Sequence, residues 1–288
     1  MKNTVWPFLA AIVLIQSCAQ APEKEERSSA DIQRIVTVSG TATETVAALG
    51  FADRIVGVDV TSTFPPSVAD LPKVGHDRSI SAEGVISLSP QVVVAGAWQL
   101  DPTVKTQLEQ AGQRVVTFPL EFTLEGAKTM IRSLADSLGV PERAEALIST
   151  IDTDMQGVQT LSTAPKVLFI YARGAGTLMV AGTGTAMHHM IELAGGQNAM
   201  TGFEQFKPLT PEALIAADPD AIILFDTAMD GFQGEEGVMK VPGMAATTAG
   251  KNRAFITMDG GLLSNFGPRI GKALTYLNER FRALPARA

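Results

Sequence analysis

Cysteine and histidine are scarce in this chain of 288 residues, which contains one cysteine and three histidines. A single cysteine excludes an internal disulfide and a zinc site built from several cysteines. Any metal-binding site must therefore use a short set of side chains. The net charge is −7, with 23 lysines and arginines against 30 acidic residues. That balance supplies no excess of positive charge for a nucleic-acid-binding face.

Charged residues are also few, whereas apolar residues are plentiful enough to form a core. They make up 18% and 45% of the chain respectively, a balance typical of folded rather than disordered proteins. The length suffices for about two domains of ordinary size.

The first residues have the composition of an export signal. Lys2 precedes an apolar run at residues 5–15, which is too short to span a bilayer. Residues 15–18, Ile-Gln-Ser-Cys, overlap the end of this run and resemble a bacterial lipobox. We expect residues 1–17 to be a lipoprotein signal peptide and Cys18 to be lipidated. An ordinary secretory signal is the alternative, and either one predicts export to the periplasm or the cell surface.

The rest of the chain alternates predicted strands and helices in two sets. Residues 18–30 are polar and charged, which is typical of a flexible tether. The first set covers residues 31–122, where the apolar run at residues 91–96 indicates a strand buried on both faces of a parallel sheet. Residues 123–163 have helical spacing and predict a linker. Residues 164–288 resume the alternation.

This pattern predicts an α/β protein with two Rossmann-like lobes, joined by a long helical linker. A ligand would bind in the cleft between the lobes. Tyr171 ends a predicted buried strand, at the sheet edge where such folds bind ligands. It can approach a ligand there, although an ordinary half-buried aromatic residue would show the same pattern.

One sequence pattern occurs once in each set. Residues 81–94 and 210–223 both contain a capping residue, a glutamate two positions later, an apolar helix, a proline and a buried strand. Glu83 and Glu212 thus take equivalent places in a first helical turn. Helix capping and the helix dipole account for each glutamate alone. The paired placement predicts a second role.

Common catalytic motifs are absent from the sequence. It contains no GxSxG, no Walker loop and no HExxH, and its glycine-containing stretches at residues 174–177 and 182–185 are too short for a dinucleotide fingerprint. We therefore expect a binding protein rather than an enzyme.

Several short segments of the sequence, taken together with their order along the chain, resemble segments of the substrate-binding proteins of ABC importers for metal chelates. Those importers carry siderophores, cobalamin and haem. The resemblance extends from residue 34 to about residue 284 and is greatest to the haemin-binding group. It implies a class III periplasmic binding protein with haem as transported ligand and no catalytic cofactor. Its implied partners are an ABC permease dimer with ATPase subunits and, through the lipid, the membrane; the protein itself would be a monomer. The segments are residues 74–84, 179–182 with 185–186, 193–196, 208–214, 242–244 and 266–269.

The resemblance also implies site residues. In that family the position of His76 is typically a tyrosine that binds haem iron, and Arg78 matches an arginine that stabilises the phenolate. A neutral imidazole also binds haem iron, so we expect His76 to be the iron ligand and Arg78 to bind a haem propionate. A loop histidine without a ligand is the alternative. Glu83 and Glu212 match two glutamates that dock onto permease arginines.

His188 and His189 are the remaining candidate haem ligands. Because they are adjacent on a predicted helix, we expect them to point about 100° apart and not to face one spot. One of them would then reach the cleft, as a sixth iron ligand or as a contact to a second haem. Alternatively, one would be solvated and the other hydrogen-bonded at the helix surface.

Two other functions are compatible with this resemblance. The absence of the usual tyrosine at His76 leaves open a ferric siderophore or a cobalamin-like chelate as the ligand. A lipoprotein that stores or relays haem without an importer is a further possibility, although Glu83 and Glu212 argue against it.

Overall fold

The structure is a computed structural model that describes residues 31–76, 79–172 and 178–285. Cys18 and Arg78 lie outside the described residues. No helix within the described part of the chain is both long enough and apolar enough to cross a membrane.

The first lobe is built on a four-stranded parallel sheet. Its elements are, in chain order, β1 (Ile35–Val38), α1 (Gly40–Val46), β2 (Ile55–Val58), β3 (Gly75–His76), β4 (Ser79–Ile80), α2 (Ala82–Ser87), β5 (Val92–Gly96), α3 (Pro102–Gln110) and β6 (Arg114–Phe118). The strand order is β2–β1–β5–β6, and β3 and β4 form a separate antiparallel hairpin. All five residues of β5 are buried, as the apolar run predicts.

Two helices connect the lobes, α4 (Leu124–Ser137) and α5 (Pro141–Met155). Gly139 separates them with a φ of 71°, a left-handed conformation that glycine adopts without steric cost. Pro141 then occupies the first turn of α5, where its missing N–H would have no helical partner. The linker is therefore a pair of packed helices, and α5 also packs against the last helix of the chain.

The second lobe contains a mixed sheet. Its elements are β7 (Lys166–Tyr171), β8 (Met179–Ala181), α6 (Ala186–Leu193), β9 (Gln197–Asn198), β10 (Phe206–Pro208), α7 (Pro211–Ala217), β11 (Ala221–Phe225), α8 (Asp226–Gly231), α9 (Glu235–Val238), α10 (Thr248–Asn252), β12 (Phe255–Met258), α11 (Gly260–Ser264) and α12 (Ile270–Arg282). The strand order is β10–β8–β7–β11–β12, with β9 parallel to β7 and with β8 and β10 antiparallel.

One hydrophobic core runs through both lobes and the linker. It includes Ile35 of the first sheet, Leu134 and Ile151 of the linker, Phe169 of the second sheet and Leu274 of α12. The outer face of each sheet has a further core of its own. The predicted α/β class, with two lobes, a helical linker and a cleft between the lobes, is confirmed.

Candidate ligand-binding cleft

A cleft of about 1010 Å³ opens between the two lobes. The first lobe contributes Trp98 and Phe122, which follow the carboxyl ends of β5 and β6. The second lobe contributes Tyr171, Phe206 and Phe225, which lie on β7, β10 and β11. Parallel strands of both sheets therefore point their carboxyl ends at the cleft, the usual location of a ligand in open α/β sheets.

The cleft wall is aromatic and uncharged over the residues that the structure describes. Its size lies at the upper end of the range of about 300–1,000 Å³ that is typical of small-molecule pockets. Trp98 and Phe206 are exposed at opposite walls, with 36% and 42% of their surface accessible. Such a cleft can bind a large ligand with extended apolar faces.

Tyr171 lies half-buried in the cleft wall, as its position at the end of a buried strand predicts. Its ring contacts Phe206 and Phe225 at centroid distances of 6.1 and 6.0 Å. Within the described residues its hydroxyl forms no hydrogen bond. The other tyrosine, Tyr276, is on α12 and donates a hydrogen bond to the carbonyl of Thr257. Tyr171 thus offers an uncommitted phenol to a ligand.

His76 is exposed on the β3–β4 hairpin of the first lobe. Its carbonyl accepts a hydrogen bond from Ser79 Oγ at 3.1 Å, and its imidazole has no partner among the described residues. His76 is not among the described residues that line the cleft. The structure therefore places His76 and Tyr171 on different lobes.

His188 and His189 lie in the first turns of α6, directly after three residues that line the cleft (185–187). The expectation that they face different spots is wrong, because their ring centroids are 5.0 Å apart. The Cα–Cβ directions diverge, but each imidazole extends well beyond Cβ and its rotation lets the rings converge. Both side chains are half-buried, so neither is the solvated histidine of the alternative prediction.

The ring of His189 stacks on Phe122 across the lobe boundary, with centroids 5.6 Å apart and planes inclined by 28°. Burial lowers the pKa of His189 below its ordinary value, and the charge of His188 lowers it further, while Glu192 opposes the shift. Glu192 also lies next to His188, with 3.4 Å between its Oε2 and the imidazole Nε2.

Glu83 and Glu212 are both exposed in the first turns of α2 and α7. Ser81 and Thr210 cap these helices by accepting hydrogen bonds from backbone N–H groups three residues later. Each glutamate is two residues after its cap, whereas a capping box requires the third position. Neither carboxylate has a hydrogen bond or ion pair among the described residues. The helix dipole alone therefore accounts for them within the fold.

Trp98 is one of the cleft residues that sequence analysis misses. Its position directly after the buried strand β5 is a usable signal, because residues that follow such strands line the cleft in this fold class.

Comparison with known proteins identifies the family. Residues 35–261 match the family model described as periplasmic binding protein. The periplasmic haem-binding protein RhuT from Roseiflexus sp. RS-1, solved in apo form, is 37% identical, with a TM-score of 0.82 over 87% of this chain and 98% of its own. The haem-binding protein BhuT, solved with two haems, is 37% identical, with a TM-score of 0.81 over 86% of this chain and 97% of its own.

Curated relatives are more distant. The ABC transporter substrate-binding lipoprotein YvrC of Bacillus subtilis, itself uncharacterized, is 28% identical over 86% of this chain and 79% of its own. A vitamin B12-binding protein of Vibrio campbellii is 25% identical over 70% of this chain and 75% of its own. The resemblance predicted from the sequence is confirmed, as is the class III architecture. The chain belongs to the periplasmic binding protein family.

Proposed function

We propose that this protein captures haem in the cleft between its lobes and delivers it to an ABC importer. The observation that carries the proposal is the cleft, which has a volume of about 1010 Å³ and an aromatic wall. A porphyrin is a large, flat ring with two apolar faces, and stacking on aromatic side chains stabilises it. The similarity to solved periplasmic haem-binding proteins supports the same ligand.

Tyr171 is the proposed iron ligand in the second lobe. Phenolate is an established axial ligand of haem iron, and this phenol lines the cleft without a hydrogen-bond partner in the described residues. Arg173 follows two positions later, the same spacing as between the tyrosine and arginine of the haemin-binding group. Arg173 itself lies outside the described residues.

His76 is the proposed ligand from the first lobe. Its imidazole is exposed and available, and a haem held between the lobes would receive one axial ligand from each of them. The described cleft wall carries no charge, so the propionates need cations from elsewhere. Arg78 is the proposed partner of one propionate, because a guanidinium matches the geometry of a carboxylate. His188 and His189 border the cleft as additional haem contacts.

Delivery requires an anchor and a docking surface. Cys18 is the proposed lipid attachment site, and the lipid would hold the protein at the membrane. We propose that the protein is a monomer. Glu83 and Glu212 are proposed to dock one lobe each onto arginines of the permease, because both are exposed and free of partners within the described residues.

Haemin titration of three variants, followed by absorbance, tests the ligand assignment. We expect Tyr171→Phe to lose at least tenfold in haem affinity, together with the phenolate-to-iron charge-transfer band. His76→Ala should alter the spectrum of the remaining complex. Tyr276→Phe is the matched control, because it removes the hydroxyl of the other tyrosine, which lies on α12 and outside the described cleft wall. A Tyr171→Phe protein that titrates like wild type would contradict the assignment to Tyr171, and an unchanged spectrum in His76→Ala would contradict the second ligand.

Cobalamin is the second candidate ligand. The observation that favours it is the similarity to vitamin B12-binding and cobalamin-binding proteins. A corrin is also a large macrocycle with apolar faces, so the cleft volume alone does not separate the two ligands.

A further inference from the structure

We propose that His188, His189 and Glu192 form a binding site for a divalent transition-metal ion beside the cleft. Each of the three side chains offers one ligand atom, and these atoms all lie within 4.8 Å of one another. None of the three residues is among the described residues that line the cleft, so the ion would lie beside the proposed haem cavity and not in it.

The distances are close to those of a coordinated ion. Zinc binds imidazole nitrogen and carboxylate oxygen at about 2.0–2.2 Å, so neighbouring donor atoms of a tetrahedral site lie roughly 3.3 Å apart. His188 Nε2 and Glu192 Oε2 are already 3.4 Å apart. No two of the three ligand atoms are more than 4.8 Å apart, so coordination would bring the His189 nitrogen closer by about 1.5 Å at most.

Surrounding contacts hold His188 in place. Thr185 caps α6 and accepts a hydrogen bond from the backbone N–H of His188 at 3.2 Å. The buried amide of Asn198 approaches His188 Nδ1 at 3.4 Å and is itself held by the carbonyls of Ala181 and Met200. These contacts direct Nε2 of His188 towards Glu192.

The donor set indicates the class of metal. Two imidazoles and one carboxylate form a known zinc-binding set that leaves a fourth position for water. Imidazole ligands suit zinc, copper and nickel, and copper(II) binds most tightly in the usual affinity order. Calcium and magnesium require a set of oxygen ligands that this cluster does not provide.

The position of the cluster connects the ion to the cleft wall. His189 stacks on Phe122, which lines the cleft from the first lobe. Coordination would draw the His189 ring towards Glu192, and the stacking across the lobe boundary would weaken. An ion at this site therefore acts on a residue of the cleft wall without entering the cavity.

Zinc titration of the full-length, haem-free protein tests the site, with a chromophoric chelator as competitor. We expect wild type to bind one equivalent. Glu192→Gln, His188→Ala and His189→Phe should each weaken zinc binding at least tenfold, and the phenylalanine keeps an aromatic ring against Phe122. His76→Ala is the control, because it removes the one other histidine of the chain and should leave zinc affinity unchanged.

Thermal unfolding keeps the test decisive if His188→Ala or His189→Phe fold poorly. The side chain of Glu192 is 50% exposed, so Glu192→Gln should fold normally. Zinc should raise the melting temperature of wild type but not of Glu192→Gln. Absence of zinc binding in wild type, or equal zinc affinity in wild type and Glu192→Gln, would overturn the proposal. Haem binding, measured separately on the same variant, should be retained.

Discussion

Arg269 of the second lobe donates two hydrogen bonds to the carboxylate of Glu44 in the first lobe. The Glu44 side chain is only 3% exposed, and a buried carboxylate is stable only with such partners. Asn265 Nδ2 donates a third hydrogen bond at 2.9 Å. The ring of Phe64 covers the guanidinium at 3.8 Å from its centroid. This cluster joins the start of α12 to α1 and holds the lobes together.

Removal of Arg269 should therefore destabilise the protein strongly. We expect Arg269→Met to lower the free energy of unfolding by about 3–5 kcal/mol, because it leaves the Glu44 carboxylate buried without its main partner. Urea denaturation followed by circular dichroism measures the change.

Glu145→Gln is the control for this substitution. It breaks the ion pair with Arg132, in which both side chains are exposed, and pairs of that kind contribute little. If Arg269→Met cost no more stability than Glu145→Gln, the ion pair between the lobes would not have the role described here.

The paired glutamates should affect transport and not binding. We expect the double variant Glu83→Ala, Glu212→Ala to abolish haem uptake by cells while its haem affinity stays at the wild-type value, because both carboxylates are exposed on helix termini. Glu142→Ala is the control, since Glu142 is also an exposed glutamate in a first helical turn. Normal uptake by the double variant, or loss of its affinity, would argue against docking.

Aromatic residues at opposite cleft walls should contribute directly to haem affinity. An aromatic contact adds about 0.5–1.5 kcal/mol beyond the area it buries. We therefore expect Trp98→Ala and Phe206→Ala each to weaken binding several-fold, to roughly tenfold. The matched control is Tyr276→Ala, at an exposed aromatic residue outside the described cleft wall. Equal haem dissociation constants in all three variants would show that the ligand lies elsewhere.

Cys18 should decide where the protein is found in the cell. We expect wild type to fractionate with membranes and to carry a lipid label, and Cys18→Ala to lose that label. A Cys18→Ala protein that still incorporates labelled fatty acid would exclude Cys18 as the lipid attachment site. An unlabelled wild-type protein would instead favour the ordinary secretory signal.

Local features of the fold could be predicted because they depend on near neighbours in the chain. The buried strand β5 follows from its apolar run, and Ser81 and Thr210 cap their helices as predicted. The position of Tyr171 at the cleft could be predicted in the same way. The end of a buried strand can be recognised from the local sequence, and open α/β sheets bind ligands at the carboxyl ends of their strands.

Contacts between distant segments could not be predicted in this way. The ion pair of Glu44 and Arg269 depends on how the lobes meet, and neither residue carries a local sign of its partner. The convergence of His188 and His189 depends on the rotation of their side chains, and helical periodicity gives no information about that rotation. The family position alone predicts His76 as a ligand, and that position gives no information about how the β3–β4 hairpin packs.

Competition between haemin and cyanocobalamin for the purified protein tests whether haem is its ligand. We expect a saturable shift of the haem Soret band on titration with haemin, and no displacement of haemin by an equal concentration of cyanocobalamin. A titration without any Soret shift, or displacement of haemin by cyanocobalamin, would contradict the proposal that haem is the ligand.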